Sequence, residues 1–226
     1  MPEVLNRFTG RIKEFQPDVL VMSGDVLDIP DEVITGGTPD ERSHDEWMDY
    51  VKSDYRLVWD WFEATNVIYV VIPGNHDHEG AFADAFGGPP EPSDLAGLRF
   101  FCFWDKQVDI RLPQRTGGQK KLFEKAVTDA EHDCPQAHVQ HYMIDPPTFA
   151  KGQRYDYEDS RDMKKDAERS GRVRATLSGH YHPGSLVKEN GIVHSVPPAF
   201  CEALHPFRLY DIADGSVVVS DQFLNP

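Results

Sequence analysis

Three apolar segments of this chain each end in a cluster of glycine and polar side chains. The segments are Asp18–Met22, Val67–Ile72 and Arg172–Leu177, and the clusters are Ser23-Gly24-Asp25, Pro73-Gly74-Asn75-His76-Asp77 and Ser178-Gly179-His180-Tyr181-His182. Short continuous apolar runs are typical of strands buried in a parallel sheet. The carboxyl ends of such strands meet at the edge where α/β proteins bind ligands. The pattern therefore predicts an α/β fold in which separated polar residues converge.

Helical periodicity is found between the strands. Apolar residues recur at helical spacing over residues 3–15, 44–64 and 118–132. An apolar and aromatic stripe on the second of these helices is predicted to lie in the core: Trp47, Tyr50, Val51, Leu57, Val58, Trp61 and Phe62. Residues 30–43 and 87–97, rich in Pro and Gly, are predicted to be loops. The charged run from Tyr155 to Arg169 is predicted to be a solvated helix or a mobile loop.

The second half of the chain is richer in predicted strands. These strands are Leu98–Trp104, His138–His141, Ser185–Val187, Ile192–Val196, Phe207–Ile212 and Val217–Ser220, of which the last four are predicted to be antiparallel. Alternating strands and helices followed by a β-rich end favour a layered α/β architecture with a mixed sheet. We expect a single domain over residues 1–226, because this length suits one sizeable α/β domain.

Composition excludes several classes of function. The formal charge of −15 argues against general nucleic-acid binding, because phosphate backbones need a cationic surface. It still allows a small phosphorylated ligand, because a bound metal can invert the local field. No apolar run approaches the roughly 18 residues of a membrane span, so no membrane association is expected. Cys102, Cys134 and Cys201 are few and far apart, which indicates free thiols in a reducing compartment and predicts a cytoplasmic location.

The residues that follow the predicted strands include five candidate metal ligands: Asp25, Asn75, His141, His180 and His182. Each residue alone has a simpler interpretation, such as a helix cap for Asp25, a turn residue for Asn75 or a structural histidine. Their combination, in this order and each after a strand, predicts a metal site. Mixed imidazole and oxygen ligands suit Zn, Mn or Fe rather than Ca.

The motif set resembles that of the calcineurin-like metallophosphoesterases. The matching segments are Gly24-Asp25-Val26-Leu27-Asp28, Gly74-Asn75-His76-Asp77, His141 and Gly179-His180-Tyr181-His182, and the resemblance covers about residues 10–200. It implies a layered β-sandwich of two mixed sheets flanked by helices, with two metal ions. By resemblance, Asp25 bridges both ions, His182 binds the first, and Asn75, His141 and His180 complete the second site.

The resemblance also implies a reaction, the hydrolysis of a small phosphomonoester or phosphodiester by a metal-bound hydroxide. Metal ions lower the pKa of water and stabilise the charge of the phosphate oxygens. His76 is the implied general acid, since the ordinary pKa of a histidine is about 6.5. Asp28 is implied to orient His76, although a helix-capping role for Asp28 is also open. Ile29 and Asp77 differ from the Arg and Glu of the protein-phosphatase branch, so a bacterial-type phosphatase or phosphodiesterase is favoured.

One expected family motif is missing, because no Asp-x-His occurs in the chain. Asp25 and His182 alone remain for the first ion, whereas the second site keeps all its ligands, so the chain retains a full set for one ion. We therefore expect that the first strand is missing and that Met1 is an internal methionine. Residues 217–223 are expected to be an ordinary last strand rather than its replacement. Two alternatives stay open: an inactive binding or scaffold protein of this fold, and a mononuclear hydrolase.

Overall fold

The chain divides into two compact units, Met1–Pro90 (unit 1) and Glu91–Pro226 (unit 2). The structure, a computed structural model, describes residues 2–109, 112–213 and 215–224. Met1, which we expected to be an internal methionine, lies outside the described residues. The expectation of a single domain over the whole chain stays a prediction.

Unit 1 combines helices with a pair of strands. In chain order its elements are α1 (Pro2–Phe15), β1 (Val19–Met22), α2 (Asp31–Ile34), α3 (His44–Thr65), β2 (Ile68–Val71) and α4 (Glu79–Phe86). The strands β1 and β2 pair in parallel, with Val19 opposite Ile68 and Met22 opposite Val71. The predicted helices at 3–15 and 44–64 and both predicted strands are confirmed. The parallel pairing brings the turns after the two strands to the same end of unit 1.

Helix α3 supplies much of the core of unit 1. It begins with a capping box, in which the Ser43 side chain accepts from the backbone of Glu46 and the Glu46 carboxylate accepts from the backbone of Ser43. Its buried side chains are Val51, Tyr55, Val58 and Phe62. The predicted stripe was wrong in part, because Tyr50 and Leu57 are 58% and 52% exposed. The buried face follows an i, i+4, i+7, i+11 pattern that includes Tyr55, which the sequence analysis had left out.

Unit 1 departs from the predictions at three further points. Residues 30–43 were predicted to be a loop, yet α2 forms there because Val33 is fully buried and Pro30 suits the residue before a helix. Helix α4 was not predicted. Strand β1 was expected to be buried, but Val21 is 36% exposed, since β2 is its one pairing partner within the described residues.

Unit 2 contains most of the strands. Its elements are β3 (Ser93–Leu95), β4 (Leu98–Cys102), β5 (Gln107–Asp109), β6 (Leu112–Pro113), α5 (Gly117–Thr128), a 3₁₀ turn (Ala130–His132), β7 (Gln136–Val139), β8 (Phe149–Ala150), β9 (Gln153–Arg154), α6 (Ser160–Ser170), β10 (Val173–Leu177), β11 (Ser185–Glu189), β12 (Ile192–Val196), β13 (Pro206–Ala213) and β14 (Ser216–Phe223).

A six-stranded mixed sheet organises unit 2, in the order β11-β12-β10-β7-β4-β3. The four central strands run parallel, and the edge strands β11 and β3 run antiparallel to their neighbours. Helices α5 and α6 flank this sheet. Strand β7 is buried along its whole length. The predicted α/β class, with a mixed sheet flanked by helices, is therefore confirmed.

Some details of unit 2 differ from the predictions. Strand β12 was predicted to be antiparallel, but it runs parallel to β10 and antiparallel only to β11. A strand, β3, lies in the predicted loop at 87–97, because it pairs with β4. The charged run at 155–169 is largely helix α6, which confirms the helical alternative, but this helix is not wholly solvated because it buries Met163 and Ala167. Strand β14 pairs antiparallel with β13, as expected of an ordinary last strand.

In the described part of the chain, no helix is both long enough and apolar enough to cross a bilayer.

Candidate functional site

The turn after β1 carries the first predicted metal ligand. Gly24 and Asp25 both have positive φ, at 103° and 53°. This conformation costs glycine little, but it is strained for an aspartate. The Asp25 carboxylate accepts a hydrogen bond from the backbone N–H of His76, at 2.9 Å. The two motif turns of unit 1 are thus joined through the side chain of a predicted ligand.

A second carboxylate, that of Asp77, joins the same two turns more extensively. It accepts from the backbone N–H groups of Val26 and Leu27, both at 3.1 Å, and from that of Gly74 at 2.8 Å. The hydroxyl of Tyr55 also donates to it, at 2.8 Å. Burial raises the pKa of Asp77, and these donors oppose the rise. The sequence pattern alone gave no sign of this role for Asp77.

His76 and Asp28 form a side-chain pair. The Nδ1 of His76 lies 3.0 Å from a carboxylate oxygen of Asp28, and both side chains are exposed. Pro30, not Asp28, is the residue that precedes α2, so the capping interpretation of Asp28 was wrong. Asn75 lies beside His76 in the turn after β2. Asp25, Asp28 and His76 are therefore brought together within unit 1.

The histidines of unit 2 follow the ends of β7 and β10. His141 is buried, and its ring centroid lies 5.0 Å from that of His180. The backbone N–H of Gly179 donates to the carbonyl of His141 at 2.9 Å, which ties the two turns together. His180 has a φ of 65°, so it is a second predicted ligand in a strained conformation. Tyr155 packs 5.1 Å from the His180 ring, centroid to centroid.

His182 lies on the exposed side of the same turn. Its Nδ1 is 3.0 Å from a carboxylate oxygen of Glu202. A carboxylate on one ring nitrogen fixes the tautomer and leaves the other nitrogen to bind a metal. Glu202 was missed by the sequence analysis, because it is 20 residues away along the chain and follows no strand.

A buried polar network lies next to the unit 2 histidines. Gln140 donates to the hydroxyl of Ser178 at 3.3 Å and accepts from Arg115 at 2.9 Å. Arg115 also forms an ion pair with Asp105 at 2.8 Å, and both side chains are almost fully buried. Tyr157 donates to the same Asp105 carboxylate at 2.6 Å. Because Gln140 precedes His141 and Ser178 precedes Gly179-His180, the network links the segments that carry the two histidines. No local sequence pattern signalled it.

The predicted site residues fall into two groups, one in each unit. Unit 1 carries Asp25, Asp28, Asn75 and His76, and unit 2 carries His141, His180 and His182. Carboxylate, amide and imidazole groups are the donors that Mn, Fe and Zn accept. Two of the predicted ligands are held in strained backbone conformations, a feature that is concentrated at functional sites. The donor set therefore fits a transition-metal ion, although which residues share one stays a prediction.

Oxygen and imidazole donors that follow parallel strands of an α/β fold are typical of metal-dependent proteins. The chain belongs to the calcineurin-like phosphoesterase family, whose model matches residues 2–184. No curated protein matches the chain.

Solved structures resemble the chain in fold at low sequence identity. A dimetal phosphatase from Danio rerio is 12% identical, with a TM-score of 0.72, and the match covers 98% of this chain and 86% of that one. The protein TT1561 from Thermus thermophilus is 9% identical, with a TM-score of 0.64 and coverage of 99% and 93%. At these identities the likeness shows the fold, which is that of the metallophosphoesterases.

Proposed function

We propose that this protein hydrolyses a small phosphomonoester or phosphodiester with the help of bound Mn, Fe or Zn. The observation that carries the proposal is the arrangement around His76 in unit 1. Its backbone donates to the proposed metal ligand Asp25, and its ring pairs with Asp28. These contacts support the proposal, because the proposed proton-transfer group lies next to a proposed metal ligand, and phosphoester hydrolysis can use both. Membership of the calcineurin-like phosphoesterase family supports the same reaction class.

The proposed ligands are Asp25, Asn75, His141 and His180 for one ion, with Asp25 and His182 contributing to a second. A bound ion of this type would activate water and stabilise negative charge on the phosphate oxygens. Asp77 and its donors fix the turn that carries Asp25 relative to the turn that carries Asn75. The network around Gln140 does the same for the segments that carry His141 and His180.

His76 is the proposed general acid, and Asp28 is the proposed positioning residue for it. The Asp28 carboxylate at Nδ1 orients the ring and makes Nε2 the nitrogen that can deliver a proton. Protonation matters most when the departing oxygen is a poor leaving group, because the developing alkoxide is then most basic. The substrate is proposed to be small, since a chain with a formal charge of −15 repels polyanions. A cytoplasmic location is also proposed, on the ground that the three cysteines are few and far apart in the sequence.

The reaction is tested with two aryl phosphates that differ in leaving group, p-nitrophenyl phosphate and phenyl phosphate, and with the corresponding diesters. We expect the purified chain to hydrolyse at least one of them in the presence of Mn²⁺. His76→Asn should lower kcat by about 100-fold or more for the phenyl ester and by less for the nitrophenyl ester. His44→Asn is the matched control, because His44 is only partly buried and lies outside the site. Absence of turnover, or equal activity of His76→Asn, would contradict the proposal.

A second function, binding without catalysis, is favoured by the missing Asp-x-His motif. With Asp25 and His182 as its proposed ligands, the first ion would be held weakly, and catalysis by two ions would be lost. The manganese content after reconstitution and desalting separates these possibilities. Two tightly held Mn²⁺ ions would reject the binding-only function. One equivalent with turnover would indicate a mononuclear hydrolase.

A further inference from the structure

A cluster of three different metal-binding side chains lies on the surface of unit 2. His182, Cys201 and Glu202 each offer one ligand atom, these atoms all lie within 4.8 Å of one another, and all three residues are exposed. Neither Cys201 nor Glu202 belongs to the motif set of the proposed phosphoesterase site. The cluster therefore adds a thiol and a carboxylate that the proposed function does not use.

The backbone around the cluster fixes the two segments that supply it. The backbone N–H of Ala199 donates to the carbonyl of His182 at 3.0 Å, and that of Glu202 donates to Ala199 at 3.0 Å. A Cβ on Gly184 would lie 2.6 Å from the backbone nitrogen of Pro198, so only glycine allows this approach of the two segments. Main-chain contacts thus hold the segment that carries His182 next to the segment that carries Cys201 and Glu202.

The ligand types select a particular kind of ion. Thiolate and imidazole favour Zn²⁺ and similar borderline or soft cations, whereas Mg²⁺, Ca²⁺ and Mn²⁺ prefer oxygen ligands. Three protein ligands leave one tetrahedral position for water, as in exchangeable zinc sites. The ligand atoms need to close by only about 1 Å to reach the separations of a tetrahedral site with metal–ligand distances of about 2.0–2.3 Å. Exposed side chains can make this movement without disturbing the core.

We propose that His182, Cys201 and Glu202 form a Zn²⁺ site on unit 2 that is separate from the proposed phosphoesterase centre and shares only His182 with it. Zinc binding at this site does not rest on the proposed function. One consequence does rest on it: zinc at this site withdraws His182 from the proposed first metal position. Zn²⁺ should therefore inhibit Mn-dependent turnover, and Cys201→Ser should relieve the inhibition without changing turnover in Mn²⁺ alone.

Cobalt provides a direct test, because a thiolate bound to Co²⁺ gives a charge-transfer absorption that oxygen and imidazole ligands do not give. The full chain should develop this band on addition of Co²⁺, and Cys201→Ser should abolish it. Cys134→Ser is the matched control and should retain the band, because Cys134 lies outside the cluster. Absence of the band in the unsubstituted chain, its survival in Cys201→Ser, or its loss in Cys134→Ser would each overturn the site.

Zinc affinity provides a second measurement, by competition with a chromogenic chelator. Cys201→Ser should lower the affinity by at least about 100-fold, and Glu202→Gln by about 10–100-fold, since Glu202 is a proposed ligand and its carboxylate also contacts His182. Unchanged affinity in both variants would reject the proposal. These results are independent of turnover, so a chain that binds cobalt through Cys201 but hydrolyses nothing would keep the zinc site and reject the phosphoesterase.

Discussion

Asp77 is the residue whose role is most dependent on the fold. The sequence motif around it predicted that Asn75 binds metal and His76 transfers a proton, and it gave Asp77 only a branch-specific meaning. In the structure its carboxylate accepts from two backbone N–H groups about fifty residues earlier, at 3.1 Å each. The backbone N–H groups in the tight turn after Asp25 need hydrogen-bond acceptors, so the sequence could have indicated that an acceptor is required there. That Asp77 is this acceptor follows only from the parallel pairing of β1 and β2, which brings the two turns to the same end.

Removal of the Tyr55 hydroxyl tests the contribution of one donor to the hydrogen bonds around the Asp77 carboxylate. Tyr55 is fully buried, donates to Asp77 at 2.8 Å and accepts from the backbone N–H of His78 at 3.1 Å. Tyr55→Phe leaves the partly buried N–H of His78 without this partner and takes one donor from the buried carboxylate of Asp77. We expect the free energy of unfolding to fall by about 1–3 kcal/mol, measured by urea denaturation.

Tyr50→Phe is the control for that substitution, because Tyr50 lies on the same helix and is 58% exposed. Its free energy of unfolding should change by less than about 0.5 kcal/mol. Equal losses in the two variants would show that the buried hydroxyl adds nothing to stability. A metal-binding or kinetic defect confined to Tyr55→Phe would extend the role of the hydroxyl from unit 1 stability to the proposed site.

At the scale of elements, prediction succeeded where the signal is local. Long helices such as α1 and α3 repeat their apolar positions over several turns, and the glycines after β1, β2 and β10 mark the strand ends. Helix α4 was missed because its stability depends on tertiary contacts. The Tyr55 and Phe82 rings pack at a centroid distance of 5.7 Å. The first turn of α4 is capped by the ring of His78, which accepts a hydrogen bond from the backbone N–H of Ala81. A histidine is not a usual capping signal.

The turn that joins β10 to β11 can be tested at Gly184. This residue has a φ of 75°, and a Cβ there would lie 2.6 Å from the backbone nitrogen of Pro198. Gly184→Ala should therefore combine strain in φ with a steric clash, and it should separate the segments that carry His182 and Glu202. We expect a loss of about 2–4 kcal/mol in the free energy of unfolding, together with weaker zinc binding.

Gly191→Ala separates strain from clash, because Gly191 has a similar φ of 81° but no atom within 4 Å of the added Cβ. The free energy of unfolding of Gly191→Ala should fall by about 1–2 kcal/mol, and the zinc affinity of this variant should be unchanged. If Gly184→Ala were no less stable than Gly191→Ala, the close approach to Pro198 would not be a constraint on this turn.

At the scale of the whole molecule, the predictable part of the site is the part attached to strand ends. Asp25, Asn75 and His180 could be found because their positions relative to a strand are local information. Glu202 pairs with His182 across 20 residues, and Arg115 pairs with Gln140 across 25. Neither Glu202 nor Arg115 follows a predicted strand. Each pairing depends on how distant parts of the chain fold back onto each other. The sequence also predicted strands without predicting that β1 would remain partly exposed.

A buried histidine gives unit 2 a dependence on pH that local sequence does not reveal. His138 is fully buried among the rings of Phe101, Phe103 and Phe123, at centroid distances of 5.3–5.8 Å. Burial, helped by the positive charge of Arg115, lowers the pKa of His138 to about 3. The unfolded chain has an ordinary histidine there, with a pKa of about 6.5. Between these two values the unfolded state binds one more proton than the folded state.

Acid should therefore destabilise this protein partly through His138. The stabilising contribution of the neutral ring is fully present above about pH 6.5 and is lost as the pH falls toward about 3, by up to about 1.4 kcal/mol per pH unit. His138→Gln keeps a neutral polar group near Gln136 and should reduce the loss of unfolding free energy between about pH 6 and about pH 5 by nearly this amount. Urea denaturation at each pH measures the slope, and His44→Gln, at a partly buried histidine, should leave it unchanged. Parallel slopes for the original chain and His138→Gln would mean that the ring takes up its proton over the same pH range in the folded and unfolded states, and this would contradict the lowered pKa.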